Sequence, residues 1–327
     1  MWLHLKSQGM LPGGPRRAAA AGRRRLSLLR NVLLFAVLFC WLGLQLQPFL
    51  AAQARARRPA PSLPPALPPP PQARLTVATG ANSAYFLAMA NLVGSVRFWC
   101  TECDIVAFNL GLTAEELRTA RGWCRVTLHW ADGYTHGDPN QYAFKALAIK
   151  EAVDAYGTVL WLDGGSTVTG HLHAAVAPLL AANGHFFVQG QDLDMVPWVH
   201  PGMLAHFGVH DTAPFAGKPS FSGNTVGFVR GSASATRILE PWVACARNVS
   251  CIAPPGSSKS NHRYDQAALS VIAYSSALSI VPHTELLAAQ RQQLQPCEKA
   301  SEMVVWTSRA GESCYAKYTH RGCQTSA

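Results

Sequence analysis

An α/β domain on a mostly parallel sheet with helices on both faces, carried behind an N-terminal transmembrane helix, is the architecture this 327-residue sequence predicts. Three observations predict it. From residue 74 onward, short strand-like runs alternate with helical ones, the pattern of a parallel sheet. One run, Thr158–Leu162 (TVLWL), is apolar throughout, as a strand covered on both faces must be. The most apolar stretch, Leu26–Leu50, has a centre at 32–46 with no charge and one polar side chain, Gln45.

Spanning a bilayer takes about 20 apolar residues, which this stretch supplies when its flanks are included. Ala51-Ala52-Gln53-Ala54 would suit signal cleavage, but about 30 residues precede the apolar core, longer than an ordinary signal n-region. Seven basic residues lie before the core and three shortly after, so the positive-inside bias keeps the N-terminus cytoplasmic. The expected order is a basic tail (1–30), a transmembrane signal-anchor (31–50), a stem (51–73) and a lumenal domain (74–327). The stem includes PAPSLPPALPPPP at 59–71, whose eight prolines favour an extended polyproline spacer.

Within the domain, Arg74–Ala78 reads as the first strand, ending in a turn at Gly80-Ala81-Asn82-Ser83, and 84–93 as a helix. Asp104–Asn109 is a second strand. Thr113 followed by Glu116 is a capping box opening a helix through Arg121. Cys124–His129 is a third strand, Gln141–Tyr156 a helix, and Thr158–Leu162 the buried strand. Phe186–Gln189 and Val226–Val229 are further strands, and 267–274 reads as a helix.

The net charge of +10 raises the question of a polyanionic partner. Ten of the 28 basic residues and none of the 18 acidic ones lie in 1–71, so the domain itself is balanced. A balanced domain has no electrostatic footprint for nucleic acid. Of nine cysteines, Cys40 lies in the apolar run. The other eight (Cys100, Cys103, Cys124, Cys245, Cys251, Cys297, Cys314 and Cys323) follow it. An even set beyond an anchor fits disulfides in an oxidising lumen. Cys100-x-x-Cys103 alone has zinc spacing, with no second such pair. Cys245 with Cys251 is the simplest bridge, and Asn248-Val-Ser250 inside that loop is a glycosylation sequon.

Ligands of open α/β sheets bind beyond the carboxyl ends of the strands. Asp163 stands there, after the strand Thr158–Leu162, and Gly164 and Gly165 allow close approach; a turn-forming Asp is the plain alternative. Ser222-Gly-Asn224 is either a turn or a place where the Asn224 amide meets a ligand. Trp198, flanked by Pro197, is the one tryptophan placed for ligand contact.

The run Gln141–Ala152 followed by YGTVLWLD at 156–163 resembles nucleotide-diphospho-sugar transferases of the GT-A type. VATGANSAYF (77–86), FNLGLT (108–113), VLWLDGG (159–165) and CIAPPGSSKSNHRYDQAALS (251–270) are similar to the landmarks of a lumenal family within that superfamily. The resemblance implies a GT-A-like, Rossmann-type sheet and a nucleotide-sugar donor. It makes Asp163 the first carboxylate of an Asp-x-Asp motif that holds Mn²⁺ or Mg²⁺ against the diphosphate. The second carboxylate is missing, because position 165 is Gly. His283 would then be a late metal ligand, and Asp192-Leu-Asp194 is a rival Asp-x-Asp. A metal-independent site would set Lys145, Lys150 or Arg263 against phosphate. Asp265 resembles the acid that touches donor or acceptor sugar, a candidate general base, or it is a helix-start carboxylate favoured by the dipole.

Together these imply a type II membrane glycosyltransferase of the Golgi or ER, most simply a hexosyltransferase, moving a sugar onto a lumenal glycan or glycoprotein. The alternative is a non-catalytic lumenal sugar- or protein-binding protein on a degenerate transferase fold, which Gly165 favours.

Overall fold

The computed structural model describes residues 74–134, 136, 138–283, 288–290, 303–307 and 313–323. The basic tail, the apolar segment, the stem and Cys297 lie outside the described residues. Among the described residues no helix is long and apolar enough to cross a membrane.

The chain opens with strand β1 (Leu75–Ala81), helix α1 (Phe86–Trp99), β2 (Asp104–Asn109), α2 (Ala114–Arg121) and β3 (Val126–Trp130). It continues through α3 (Phe144–Tyr156), β4 (Thr158–Leu162), β5 (Ser166–Val168), α4 (Leu172–Asn183), β6 (His185–Gln189), α5 (Pro201–His206) and β7 (Phe221–Val229). Then come α6 (Glu240–Arg247), α7 (Val249–Ile252), α8 (Tyr264–Ser275), β8 (Pro282–His283), β9 (Ala288–Gln290) and β10 (Val305–Thr307). Seven strands form one sheet in the order β3-β2-β1-β4-β7-β6-β8. All pair in parallel except β7, which runs antiparallel to both β4 and β6. A second sheet joins β5, β10 and β9.

Period-2 alternation explains why β4 is apolar from Val159 to Leu162. Val159 and Trp161 enter the core on one face, with α3, α6 and α8. Leu160 and Leu162 enter the other, with α1 and α4. A strand covered twice has little room for charged side chains until it ends, and Asp163 is the residue directly after β4.

The sheet begins at β1 and grows in both directions, with β2 and β3 to one side and β4 to the other. The order therefore reverses between β1 and β4, which opens a crevice at their carboxyl ends. Two glycines bring those ends together. A methyl group on Gly164 would lie 3.2 Å from the Gly80 carbonyl oxygen, and one on Gly80 would lie 3.1 Å from Leu110 and 3.3 Å from Trp161.

The strands Asp104–Asn109 and Thr158–Leu162 and the helix from Thr113 stand where the sequence puts them. The capping box is complete: Glu116 N–H donates to Thr113 Oγ1 at 3.2 Å, and Thr113 N–H donates to Glu116 Oε2 at 2.7 Å. Other boundaries move. β1 runs through Ala81, past the turn expected at Gly80, because Thr79–Ala81 pair with Ala107–Asn109. β3 starts at Val126, because Arg125 is left-handed (φ 52°). α3 starts at Phe144 and not Gln141, because Tyr142 is left-handed too (φ 55°). β7 extends back to Phe221, so Ser222-Gly-Asn224 is strand and not turn.

Disulfides join Cys100 to Cys103, Cys124 to Cys323, and Cys245 to Cys251, and Cys314 is also bridged. The zinc alternative at Cys100-x-x-Cys103 is thereby excluded. Asn248 is exposed at the start of α7, where its side-chain oxygen accepts from the Ser250 N–H at 3.0 Å. Its amide nitrogen is left for modification. Cys124–Cys323 spans 199 residues. Replacing both cysteines by serine is expected to cost about 2–5 kcal/mol, measured as a lower urea midpoint against the parent chain.

Candidate active site

β4 delivers Asp163 to the crevice and the backbone fixes it there. The Asp163 N–H donates to the Asn224 carbonyl oxygen on β7 at 2.9 Å, and the Ser166 N–H donates to the Asp163 carbonyl oxygen at 2.8 Å. The carboxylate keeps about a third of its surface exposed (36%). Its Oδ1 accepts from Trp161 Nε1–H at 2.7 Å and lies 3.0 Å from Lys145 Nζ. Oδ2 lies 3.3 Å from the same ammonium.

Lys145 comes from the first turn of α3 and is buried, its side chain only 4% exposed. On its other side Asp265 Oδ2 lies 3.1 Å away, a second ion pair. One buried ammonium thus bridges two carboxylates that are a hundred residues apart in sequence. Burial alone would lower the Lys145 pKa, but Asp163 and Asp265 outweigh it and hold the ammonium above its ordinary value. Burial, opposed by Lys145, raises the Asp265 carboxyl.

β7 makes room for this cluster with a residue that has no side chain. A methyl group on Gly223 would stand 2.3 Å from Asp265 Oδ2 and 3.1 Å from Lys145 Nζ. The chain just before each helical charge is strained as well. Tyr142 (φ 55°) and Tyr264 (φ 44°) are aromatic residues in left-handed conformation, a state that persists only where the surroundings enforce it and that gathers at functional sites.

Two clefts of about 260 Å³ each meet at this cluster and share Tyr142, Lys145 and Asp163. The first runs along the ends of β1 and β4 and is lined by Asn82, Tyr85, Leu110 and Trp161 among others. The second is polar, lined by Gln191, Lys259, Arg263, Tyr264, Asp265 and Gln266.

The other sequence candidates find different work. Lys150 pairs with Asp154 one turn away at 2.6 Å and lines neither cleft. It faces away because five residues of helix turn it from Lys145. Asn224 is buried, its Oδ1 accepting from Ser222 Oγ at 2.6 Å. It acts through its backbone, holding Asp163, and lines neither cleft. Arg263 does line the second cleft, but Nε reaches Asp192 Oδ2 at 3.3 Å and the guanidinium lies 3.8 Å over the Trp198 ring. Trp198 and Asp192 are therefore framework for Arg263, and Asp194 Oδ1 accepts from the Val196 N–H at 3.1 Å.

His283 does not reach Asp163. It lies on β8, with β6 and β7 between it and β4, and stacks on Phe186 at 4.4 Å. The donor set does not fit a divalent metal. Mg²⁺ and Mn²⁺ in nucleotide sites are held by one or two free carboxylates together with substrate phosphates and waters. Here Gly165 has no carboxylate to give, and Asp163 and Asp265 are both engaged by Lys145. Among the described residues no three His, Cys, Asp or Glu side chains converge.

Sequence reasoning missed Gly223, Tyr142, Tyr264 and Lys259. A glycine inside an apolar strand marks close approach of another group, and that was the available signal at Gly223. Nothing in the sequence marks the two tyrosines as left-handed.

No family model and no curated protein matches the sequence. Among solved structures, the chain is similar to the bifunctional glycosyltransferase WbbM (12% identity, TM-score 0.49), covering 76% of this chain but 47% of that one. It is also similar to mouse xyloside xylosyltransferase 1 (11% identity, TM-score 0.45; 72% of this chain, 97% of that one). A third is the glycosyltransferase GlyE of Streptococcus pneumoniae TIGR4 (13% identity, TM-score 0.39; 61% of this chain, 43% of that one). In this chain Asp163, Lys145 and Asp265 stand where the two clefts join.

Gly223→Ala is expected to push Asp265 off Lys145 and destabilise the protein by about 1–3 kcal/mol, read as a lower Tm. A second expectation concerns His262, which is fully buried beside the second cleft. Its Nδ1 accepts from the His200 N–H at 3.2 Å, leaving the proton on Nε2, 3.1 Å from the Ile252 carbonyl oxygen. Burial lowers its pKa from 6.5 to about 4. As pH falls, the unfolded chain takes the proton first, so this stability is full above 6.5 and lost toward 4. The loss is on the order of 3 kcal/mol. Urea midpoints across that window should fall, and His262→Gln should flatten the slope.

Proposed function

We propose that this chain is a nucleotide-sugar-dependent glycosyltransferase. The observation that carries the proposal is the Asp163 carboxylate, about a third exposed at the crevice between β1 and β4 and tied through Lys145 to Asp265, where two clefts of opposite character meet. The first cleft offers Tyr85, Leu110 and Tyr142 for a flat base and reaches the buried ammonium, where a diphosphate belongs. The second offers hydrogen-bonding side chains without an apolar floor, which suits sugar hydroxyls.

Transfer between them breaks the bond from the anomeric carbon to the diphosphate oxygen. It forms a bond from that carbon to an acceptor oxygen, and the acceptor hydroxyl proton goes to a base. Asp163 is the carboxylate open to both clefts and takes that role. Asp265, only 5% exposed at its side chain, lies too deep for it and positions Lys145 instead. Lys145 faces the charge that develops on the departing diphosphate.

The setting we propose is a type II membrane protein of the Golgi or ER, acting on a lumenal glycan or glycoprotein. The charge-free run at 32–46 and the basic residues before it support this, as do the disulfides of the described residues. Gly165 favours the second reading, a sugar-binding protein without turnover. Incubating the full-length chain with a panel of nucleotide sugars and following release of nucleoside diphosphate separates the two. Asp163→Asn is expected to lower release at least about 100-fold with an unchanged Tm. Parental turnover in that variant would remove Asp163 from the mechanism.

A further inference from the structure

We propose that this chain holds the diphosphate of its donor without a divalent metal, the counter-charge coming from the Lys145 and Lys259 ammonium groups that share the Tyr142 ring. The proposal rests on the nucleotide-sugar reading of the two clefts and adds to it the source of positive charge.

The carboxylates that would hold a metal already hold a cation. Lys145 Nζ stands 3.0 Å from Asp163 and 3.1 Å from Asp265. Asp163 Oδ1 also accepts from the Trp161 indole. An ammonium in that position is part of the protein's packing: it is buried, and Gly223 is cut away to fit it. A metal would have to displace it and leave a buried lysine unpaired, which is costly. The chain offers no replacement ligands among the candidates, since Gly165 lacks a side chain and His283 is held on β8, beyond β7 and β6.

The charges near the junction favour a second lysine. Arg263 is matched by Asp192. Lys145 faces two carboxylates, so these three alone leave the cluster negative, which repels a diphosphate. Lys259 brings the sum to zero and removes the repulsion. Its ammonium lies 5.5 Å from the centroid of the Tyr142 ring, and that of Lys145 lies 5.6 Å from the same point. Lys259 is exposed on the second cleft, forms no ion pair among the described residues, and only touches Asn140 Oδ1 at 3.5 Å. Tyr142 itself lines both clefts. A phosphate passing over its edge would meet one buried, fixed ammonium and one solvated one. The first is already matched by Asp163 and Asp265 and offers a fixed N–H donor, and the second brings the unmatched charge and closes on the ligand as it arrives.

The test is isothermal titration of the full-length chain with UDP, GDP and ADP as probes, in excess EDTA and again with Mn²⁺. At least one probe is expected to bind in EDTA, with affinity changed less than about twofold by Mn²⁺. Lys259→Ala is expected to weaken that binding about tenfold or more and to leave the unliganded Tm unchanged. Lys145→Met is expected to abolish binding, but it strips Asp265 of its partner and can unfold the protein, so the exposed Lys259 carries the test. Binding that requires Mn²⁺ overturns the metal-free proposal and leaves the nucleotide-sugar reading standing. Metal-free binding indifferent to Lys259→Ala overturns the lysine source. Failure of every probe in both buffers sinks the nucleotide-sugar reading itself, and this proposal with it.

Discussion

A lysine ammonium withdrawn from water is expensive unless opposite charge meets it at close range. In this protein that constraint gathers four elements to one point. α3 brings Lys145, the end of β4 brings Asp163, the start of α8 brings Asp265, and β7 supplies the space at Gly223. Each element is set for the meeting by a local device. Tyr142 and Tyr264 turn left-handed shortly before the charged residues they precede. The Asn224 carbonyl fixes the backbone of Asp163. The glycines at 80 and 164 let two strand ends approach. Removing Lys145 leaves the buried Asp265 carboxylate without its counter-ion, whereas Lys145 itself keeps one carboxylate when the more exposed Asp163 is lost.

The surroundings of the second cleft show how polar residues can look like ligands and serve as scaffold. Asp192, Trp198 and Arg263 have the chemistry of a metal site, a sugar platform and a phosphate clamp. Together they form a single brace, the guanidinium ion-paired on one side and stacked on the indole. His262 is likewise held neutral between two backbone groups. The brace stiffens the loop from which Lys259 and Tyr264 project, so its contribution to the site is geometric.

Elements governed by local rules were legible from the sequence. The capping box at Thr113, the doubly covered strand Thr158–Leu162 and the bridge between Cys245 and Cys251 follow from a few neighbouring residues. So did the position of Asp163, because a strand with little room for charged side chains announces its own end. What escaped depends on distant partners. The antiparallel run of β7 was invisible, since Ser222-Gly-Asn224 has the composition of a turn and becomes strand only by pairing between β4 and β6. The separation of His283 from Asp163 is a matter of strand order, which no short motif encodes. Lys145 and Lys150 looked alike on one helix, and only the tertiary contacts distinguish the buried one from the one paired with Asp154.

The 313–323 segment sits on α1, far from it in sequence. Tyr315 donates its N–H to Asn91 Oδ1 at 2.8 Å, Phe98 packs against Tyr315 and Tyr318, and Gly94 lacks a side chain where a methyl would lie 1.8 Å from the Tyr315 carbonyl oxygen. A ribosome makes α1 more than 200 residues before its cover. Throughout that interval the outer surface of α1, apolar and cut to receive a missing piece, stands open to whatever is nearby. Packing of α1 is therefore complete only once the 313–323 segment is present, and a nascent chain that stops short of it leaves Gly94 and Phe98 uncovered.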